Sequence, residues 1–216
     1  MIDKITVTLT HYKRLDLLKQ TLDSFKCTNM YPIDEFIIID DSAEKYYNEK
    51  IIKLYGNMAN IIINENNLGQ RRSIDKLINA CKNEYIFHLE EDWMFDGKSK
   101  KYIENSLLIL KNKPEIHQVH VRHHKDCVHP VIGDVQNIND VGYKFLDPKF
   151  RNIWNGFSFN PGLRRKSDIN RMFPNGLEEF EDELQAALHT KQFDYRAVRL
   201  EDTVCRHIGW HNRTQI

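Results

Sequence analysis

Glu90, Glu91 and Asp92 stand side by side at the end of an apolar run, Tyr85-Ile86-Phe87-His88-Leu89, and are followed by Trp93. Three adjacent carboxylates repel one another unless a cation or several hydrogen-bond donors sit among them. Carboxylate oxygens suit hard divalent cations such as Mg²⁺ and Mn²⁺. The chemistry on offer is a metal or metal–phosphate site; the plainer reading is a solvated acidic turn leaving a strand. Asp40-Asp41-Ser42 closes a second apolar run and can also cap the helix after it. Glu178, Glu179, Glu181, Asp182 and Glu183 crowd the start of a late helix, where the helix dipole alone favours acids. A different chemistry is offered by His117, His120, His123, His124, Cys127 and His129, side chains of the kind that bind zinc. Their spacing matches no zinc pattern, and strand alternation sends neighbours to opposite faces.

These residues need elements to hold them. Ile5–Thr10, Glu35–Asp40, Asn60–Ile63 and Tyr85–Leu89 are short, apolar and rich in β-branched residues, so they read as strands. Between them, apolar residues at helical spacing predict helices over Leu15–Phe25, roughly Glu44–Tyr55, and around Ile74–Cys81. This alternation predicts an α/β fold with a mostly parallel twisted sheet flanked by helices. In such sheets ligands bind at the carboxyl ends of strands, where Thr8–Thr10, Asp40, Asp41 and Glu90–Asp92 all fall. Further on, a helix is expected over Tyr102–Leu110, a strand over Val119–Arg122, and loop or edge structure from Cys127 to Tyr143. Helices follow over Ser167–Met172 and Glu181–His189, the latter with Leu184, Ala187 and Leu188 along a stripe, then a strand over Arg196–Leu200. Trp93 and Trp154 are placed either in the core or against a ligand's apolar face.

The bulk numbers narrow the function. The 216 residues carry 31 Lys+Arg and 31 Asp+Glu, and that balance argues against a dedicated nucleic-acid binder. No run approaches the roughly 18 apolar residues of a membrane span, and the N-terminus lacks a signal-peptide profile. The four cysteines form no C-x-x-C pair, so free thiols in the cytoplasm are expected, with the chain soluble or peripheral to a membrane. That makes the sequon Asn212-Arg213-Thr214 of little account. Neither G-x-G-x-x-G nor G-x-x-x-x-G-K-[ST] occurs, which argues against dinucleotide enzymes and P-loop NTPases. A nucleotide diphosphate would have to be neutralised by a divalent cation with Arg or Lys. With no internal repeat or linker, one domain is expected over 1–216, in two halves, 1–95 and 96–216.

Taken in order, five pieces resemble the GT-A glycosyltransferases of the inverting family-2 type. Thr8-Leu9-Thr10-His11-Tyr12-Lys13-Arg14 resembles that family's T-x-N-R loop, with Lys13 where Asn is usual. Ile38-Ile39-Asp40-Asp41-Ser42 resembles V-D-D-x-S, and Asn66-Asn67-Leu68-Gly69 the N-x-G segment. Leu89-Glu90-Glu91-Asp92-Trp93 sits where D-x-D belongs, with Glu replacing the first Asp. Phe180-Glu181-Asp182 resembles the late x-E-D segment. The resemblance spans residues 5 to about 210 and implies a GT-A fold with a small antiparallel C-terminal part. It implies transfer of a sugar, with inversion, from a UDP-linked nucleotide-sugar to a glycan or other hydroxyl acceptor. It also implies the roles. Asp40 or Asp41 meets the base or ribose, and Glu90 sits near the ribose. Thr10, Tyr12, Arg14, Asn67, Gly69, Arg72 and Glu91 complete the donor site. Asp92, with His207, ligates Mn²⁺ or Mg²⁺. Asp182 is the base, with Glu181 and Glu179 as rivals. The alternatives are a nucleotide-sugar-binding module without catalysis, suggested by the Glu90 substitution, and a zinc-dependent hydrolase built on the His/Cys cluster.

Overall fold

The computed structural model describes residues 2–124, 130–149 and 156–209. Strands β1 (Ile5–His11), β2 (Glu35–Asp40), β3 (Asn60–Ile63) and β4 (Tyr85–Glu90) alternate with helices α1 (Leu15–Thr28), α2 (Lys45–Tyr55) and α3 (Gln70–Ala80). After β4 come β5 (Trp93–Phe95), α4 (Tyr102–Asn112), β6 (Ile116–His120), β7 (Val131–Ile138), β8 (Val141–Leu146), β9 (Gly162–Arg165) and α5 (Lys166–Met172). The described chain ends with α6 (Glu183–His189), β10 (Arg196–Leu200) and β11 (Cys205–His207). Nine strands form one sheet in the order β3-β2-β1-β4-β9-β6-β10-β8-β7, and β11 pairs with β5 in a small second sheet. The first four strands are parallel to one another, and only β9 and β8 run against the rest of the large sheet.

Helices cover both faces, which is why the central strands read as unbroken apolar runs. All seven residues of β1 are buried. Alternate side chains feed two cores: Val7, Leu9, Ile38 and Phe87 pack with Leu18, Leu22 and Phe25 of α1 and Ile103, Leu107 and Leu110 of α4. Ile37, Ile39 and Ile86 pack with Ile74, Leu77 and Ile78 of α3 and Ala186 and Ala187 of α6. Burying one such Leu or Ile stabilises the fold by about 1.5–3 kcal/mol.

Several boundaries differ from the sequence reading. Helix α2 starts at Lys45, and its N-cap, Glu44, makes no side-chain cap, so neither Asp40 nor Asp41 caps it. Both are occupied elsewhere. Helix α6 starts at Glu183 because Asp182 is its cap, accepting from the Gln185 N–H at 2.8 Å. Leu184, expected on the helix's stripe, is 38% exposed, while Ala187 of that stripe faces the core together with Ala186. The expected loop or edge before Tyr143 contains β7, which joins β8 in an antiparallel hairpin at the sheet's edge. Strand β5 was not anticipated; only its partner β11, more than a hundred residues away, makes three residues into a strand. Cys127, His129, Trp154 and the sequon lie outside the described residues. Among the described residues no helix is long and apolar enough to cross a membrane.

Candidate functional site

A cleft of about 430 Å³ opens at the carboxyl ends of β1, β2 and β4. Thr10, Tyr12, Arg14, Asp41, Asn67, Gly69, Glu90, Glu91, Asp92 and His207 all line it. Parallel pairing sets Thr10 beside Glu90 and His11 beside Asp40, so residues distant in sequence reach one crevice.

Its acids are held in different ways. Arg14 spans two of them: Nε and Nη2 reach Glu91 Oε1 at 2.8 and 2.7 Å, and Nη1 reaches Asp92 Oδ2 at 2.8 Å. His207 Nε2 lies 3.1 Å from the same Asp92 oxygen, with its ring edge-on to Trp93. Burial pushes the Asp92 carboxyl up, but His207 and Arg14 outweigh it and hold it below the ordinary range. Glu91, buried more deeply, is raised despite Arg14. Among the described residues Glu90 forms no ion pair; it accepts from Gln70 Nε2 and from Trp93 Nε1. Burial, then repulsion from Asp92, Glu183 and Glu91, lifts it well above the usual carboxylate value. Gly209 closes over this group: a Cβ there would stand 2.3 Å from Asp92 Oδ2, so the position leaves no room for a side chain.

Asp41 builds the opposite wall. Its Oδ1 accepts from Asn64 Nδ2 and the Leu68 N–H, and its Oδ2 from the Gly69 N–H, each at 2.8 Å. Gly69 has φ +79, a conformation that favours glycine, and it opens α3 directly against the cleft. Asp40 faces the other way. Its Oδ1 meets His11 Nδ1 at 3.0 Å and the Ser42 N–H at 3.1 Å, and its Oδ2 accepts from Ser42 Oγ. Of the two aspartates, only Asp41 lines the cleft. Arg72, expected near phosphate, is exposed and paired with Glu178 at 3.2 Å.

A second hollow of about 320 Å³ shares Gly69 and Gln70 with the cleft and is lined by Glu178, Glu181, Asp182 and Glu183. Glu179 is exposed and accepts from Asn175 Nδ2. Asp182 and Glu181 are exposed, the former engaged as the α6 cap. Glu183, which the sequence reading passed over as one acid among several, turns inward. Its Oε1 accepts from the Phe159 N–H at 3.0 Å, and burial raises its carboxyl against the pull of Arg164 and Arg122.

The histidine cluster disperses. His117 sits between Phe157 and Tyr195, His120 Nε2 reaches Gly156 O at 2.9 Å, and His123 bridges Asp96 and Thr203. Among the described residues no three of His, Cys, Asp or Glu are grouped as a metal site. The pair Asp92 and His207 nevertheless offers a carboxylate and an imidazole on one cleft wall. Both are donors that would suit a divalent cation such as Mn²⁺.

The strand order, the small antiparallel sheet and a cleft of acids at parallel strand ends define a GT-A-like α/β protein. The sequence pattern of glycosyl transferase family 2 matches residues 6–169, and the chain belongs to that family. Among solved structures it is similar to the mannosyltransferase PcManGT from Pyrobaculum calidifontis in complex with GDP-Man and Mn²⁺. The TM-score is 0.67 at 15% identity, covering 99% of this chain and 59% of that one. It is also similar to TarS 1-349 from S. aureus in complex with UDP, with TM-score 0.64 at 13% identity, covering 94% of this chain and 60% of that one. At such identities the likeness is one of fold, and the chain spans about three fifths of each. Comparison with curated proteins by sequence gives no match.

Proposed function

We propose that the chain transfers a sugar from a UDP-linked nucleotide-sugar to an acceptor hydroxyl, with inversion, using Mn²⁺ or Mg²⁺. One observation carries this reading: a single cleft gathers Thr10, Tyr12, Arg14, Asp41, Asn67, Gly69, Glu90, Glu91, Asp92 and His207 from five separate stretches of sequence. The neighbouring structures, one with GDP-Man and Mn²⁺ and one with UDP, support a nucleotide diphosphate there. Asp92 and His207 would hold the cation, which when bound would stabilise the charge gathering on the departing diphosphate. Arg14 keeps Asp92 ionised and aimed into the cleft, and can itself turn to phosphate. The Asp41-anchored loop from Asn64 to Gly69 shapes the ribose side, with Glu90 facing it.

The acceptor hydroxyl needs a base, because an alcohol is a poor nucleophile while protonated. Resemblance points to Asp182, with Glu181 and Glu179 as its neighbours. The geometry favours Glu183, which is half-buried, has a raised carboxyl pKa suited to taking a proton, and lies near enough to Glu90 for their charges to repel. It would take the hydroxyl proton as the oxygen attacks the anomeric carbon in one displacement.

The test is NDP release from a panel of nucleotide-sugars with Mn²⁺ and mixed hydroxyl acceptors, run on wild type, Glu183→Gln and Asp182→Asn. Turnover of a UDP-sugar is expected, with Glu183→Gln slower by about 10²–10⁴-fold and UDP binding kept. Silence across the panel with UDP still bound would favour a binding module instead. A larger loss in Asp182→Asn would return the base to that residue.

A further inference from the structure

Outside the cleft, the acceptor half of the sheet holds a row of bases. Arg199 of β10 is in register with His120 of β6 on one side and Lys144 of β8 on the other. Directly paired residues on adjacent strands share a face, and like charges placed so are unfavourable. Arg199 is only 5% exposed, its Nε is sealed without a hydrogen-bond partner, and no carboxylate among the described residues forms an ion pair with it. Nearby, His124 is pushed down by burial and then by the Arg199 charge. The acid on this side is Glu201, 3.9 Å from Lys144 and half-exposed. Arg164 makes the contrast. Equally buried and with its own Nε also unpartnered, it nevertheless donates through Nη2 to the Ser158 carbonyl at 3.0 Å and has Glu183 and Glu90 as nearby counter-charges.

A buried guanidinium without a counter-ion opposes folding, and it makes physical sense where a ligand brings the missing charge. The row lies near the carboxyl ends of β6 and β10, on the acceptor side of the fold. We infer that Arg199 and Lys144, flanked by His124, form a phosphate-binding subsite, so that the sugar acceptor is a phosphate-bearing molecule. This rests on the glycosyltransferase reading for the word acceptor; the anion site itself does not. A tetrahedral phosphate has enough oxygens for a guanidinium fork and an ammonium together.

Inorganic phosphate is the probe, with the donor cleft saturated by UDP and Mn²⁺. Phosphate should raise the melting temperature of wild type, and acetate at equal ionic strength should not. Arg199→Met keeps the apolar stem and removes the unpaired charge. It should melt no lower than wild type, bind UDP unchanged, and bind phosphate at least tenfold more weakly, while Arg199→Lys keeps part of the affinity. A wild type indifferent to phosphate, an equal response to acetate, or an Arg199→Met protein that still responds fully would each overturn the proposal. Should Arg199→Met melt well below wild type, its charge is satisfied within the fold and the proposal fails on that ground. Phosphate binding through Arg199 in a chain that ignores UDP would instead sink the donor reading and leave the anion site standing.

Discussion

At the carboxyl ends of β1, β2 and β4 each buried acid has donors of its own. Asp40 has Ser42 and His11, Asp41 has three donors from the Asn64–Gly69 loop, and Glu91 and Asp92 share Arg14. Across β9, β6 and β10 the buried polar groups are bases instead: His117, Arg164 and Arg199 each keep a ring or guanidinium nitrogen without a hydrogen-bond partner. The acids of the first region are held by donors already in place, whereas in the second Arg199 forms no ion pair among the described residues.

The largest effect is expected from breaking the donor side at Asp92. Asp92→Asn removes the charge that Arg14 and His207 address, but leaves Glu91 to hold Arg14, so the fold should survive. Sugar transfer should fall about 10³-fold, the scale of losing one preorganised electrostatic contact to a transition state. NDP release over a Mn²⁺ titration reads this out. Activity within tenfold of wild type would show that the cleft's charge pattern is structural. Asp41→Ala tests the same wall as architecture. It strands three donors, two of them backbone N–H groups, and should lower stability by about 2–4 kcal/mol, or roughly 5–10 °C in Tm for a chain of this size. Thermal unfolding followed by circular dichroism measures it; a drop under 2 °C would mean the Asn64–Gly69 loop is held by other contacts.

The donor side was also the legible side. Its strands and helices follow from local periodicity, and its acids sit at strand ends by chain order alone. The parting of Asp40 from Asp41 is legible too, since neighbouring residues of a strand point to opposite faces. What the sequence left open depends on tertiary pairing. Among five acids between 178 and 183, Glu183 is marked as the one turned inward by partners on a distant segment, the Phe159 N–H 24 residues upstream and the Ser158 side chain. The His120–Arg199–Lys144 row exists only because the β7–β8 hairpin docks beside β10, and its segment carried a weak strand signal. The histidines that looked like ligands were separated by the same pairing.

The second region can be probed more gently through His117, and here the expected effect is the smallest. Burial, helped by Arg164 and Arg165, pushes its imidazole down to about 3, against about 6.5 in an unfolded chain. Between those values the unfolded chain takes up a proton that the folded one refuses. Stability is therefore intact above about pH 6.5 and is lost as pH falls toward 3, at about 1.4 kcal/mol per pH unit for this one proton. His88, also pushed down by burial and then Arg164, adds a loss of the same sign. His117→Phe fits the aromatic surroundings of Phe157 and Tyr195 and deletes one of the two protons. Between pH 7.5 and 5, denaturant unfolding should show the variant losing about 2 kcal/mol less than wild type. Equal losses would mean that His117 accepts its proton inside the fold. That region would then tolerate added positive charge, and the contrast between the two regions would have to rest on Arg199 alone.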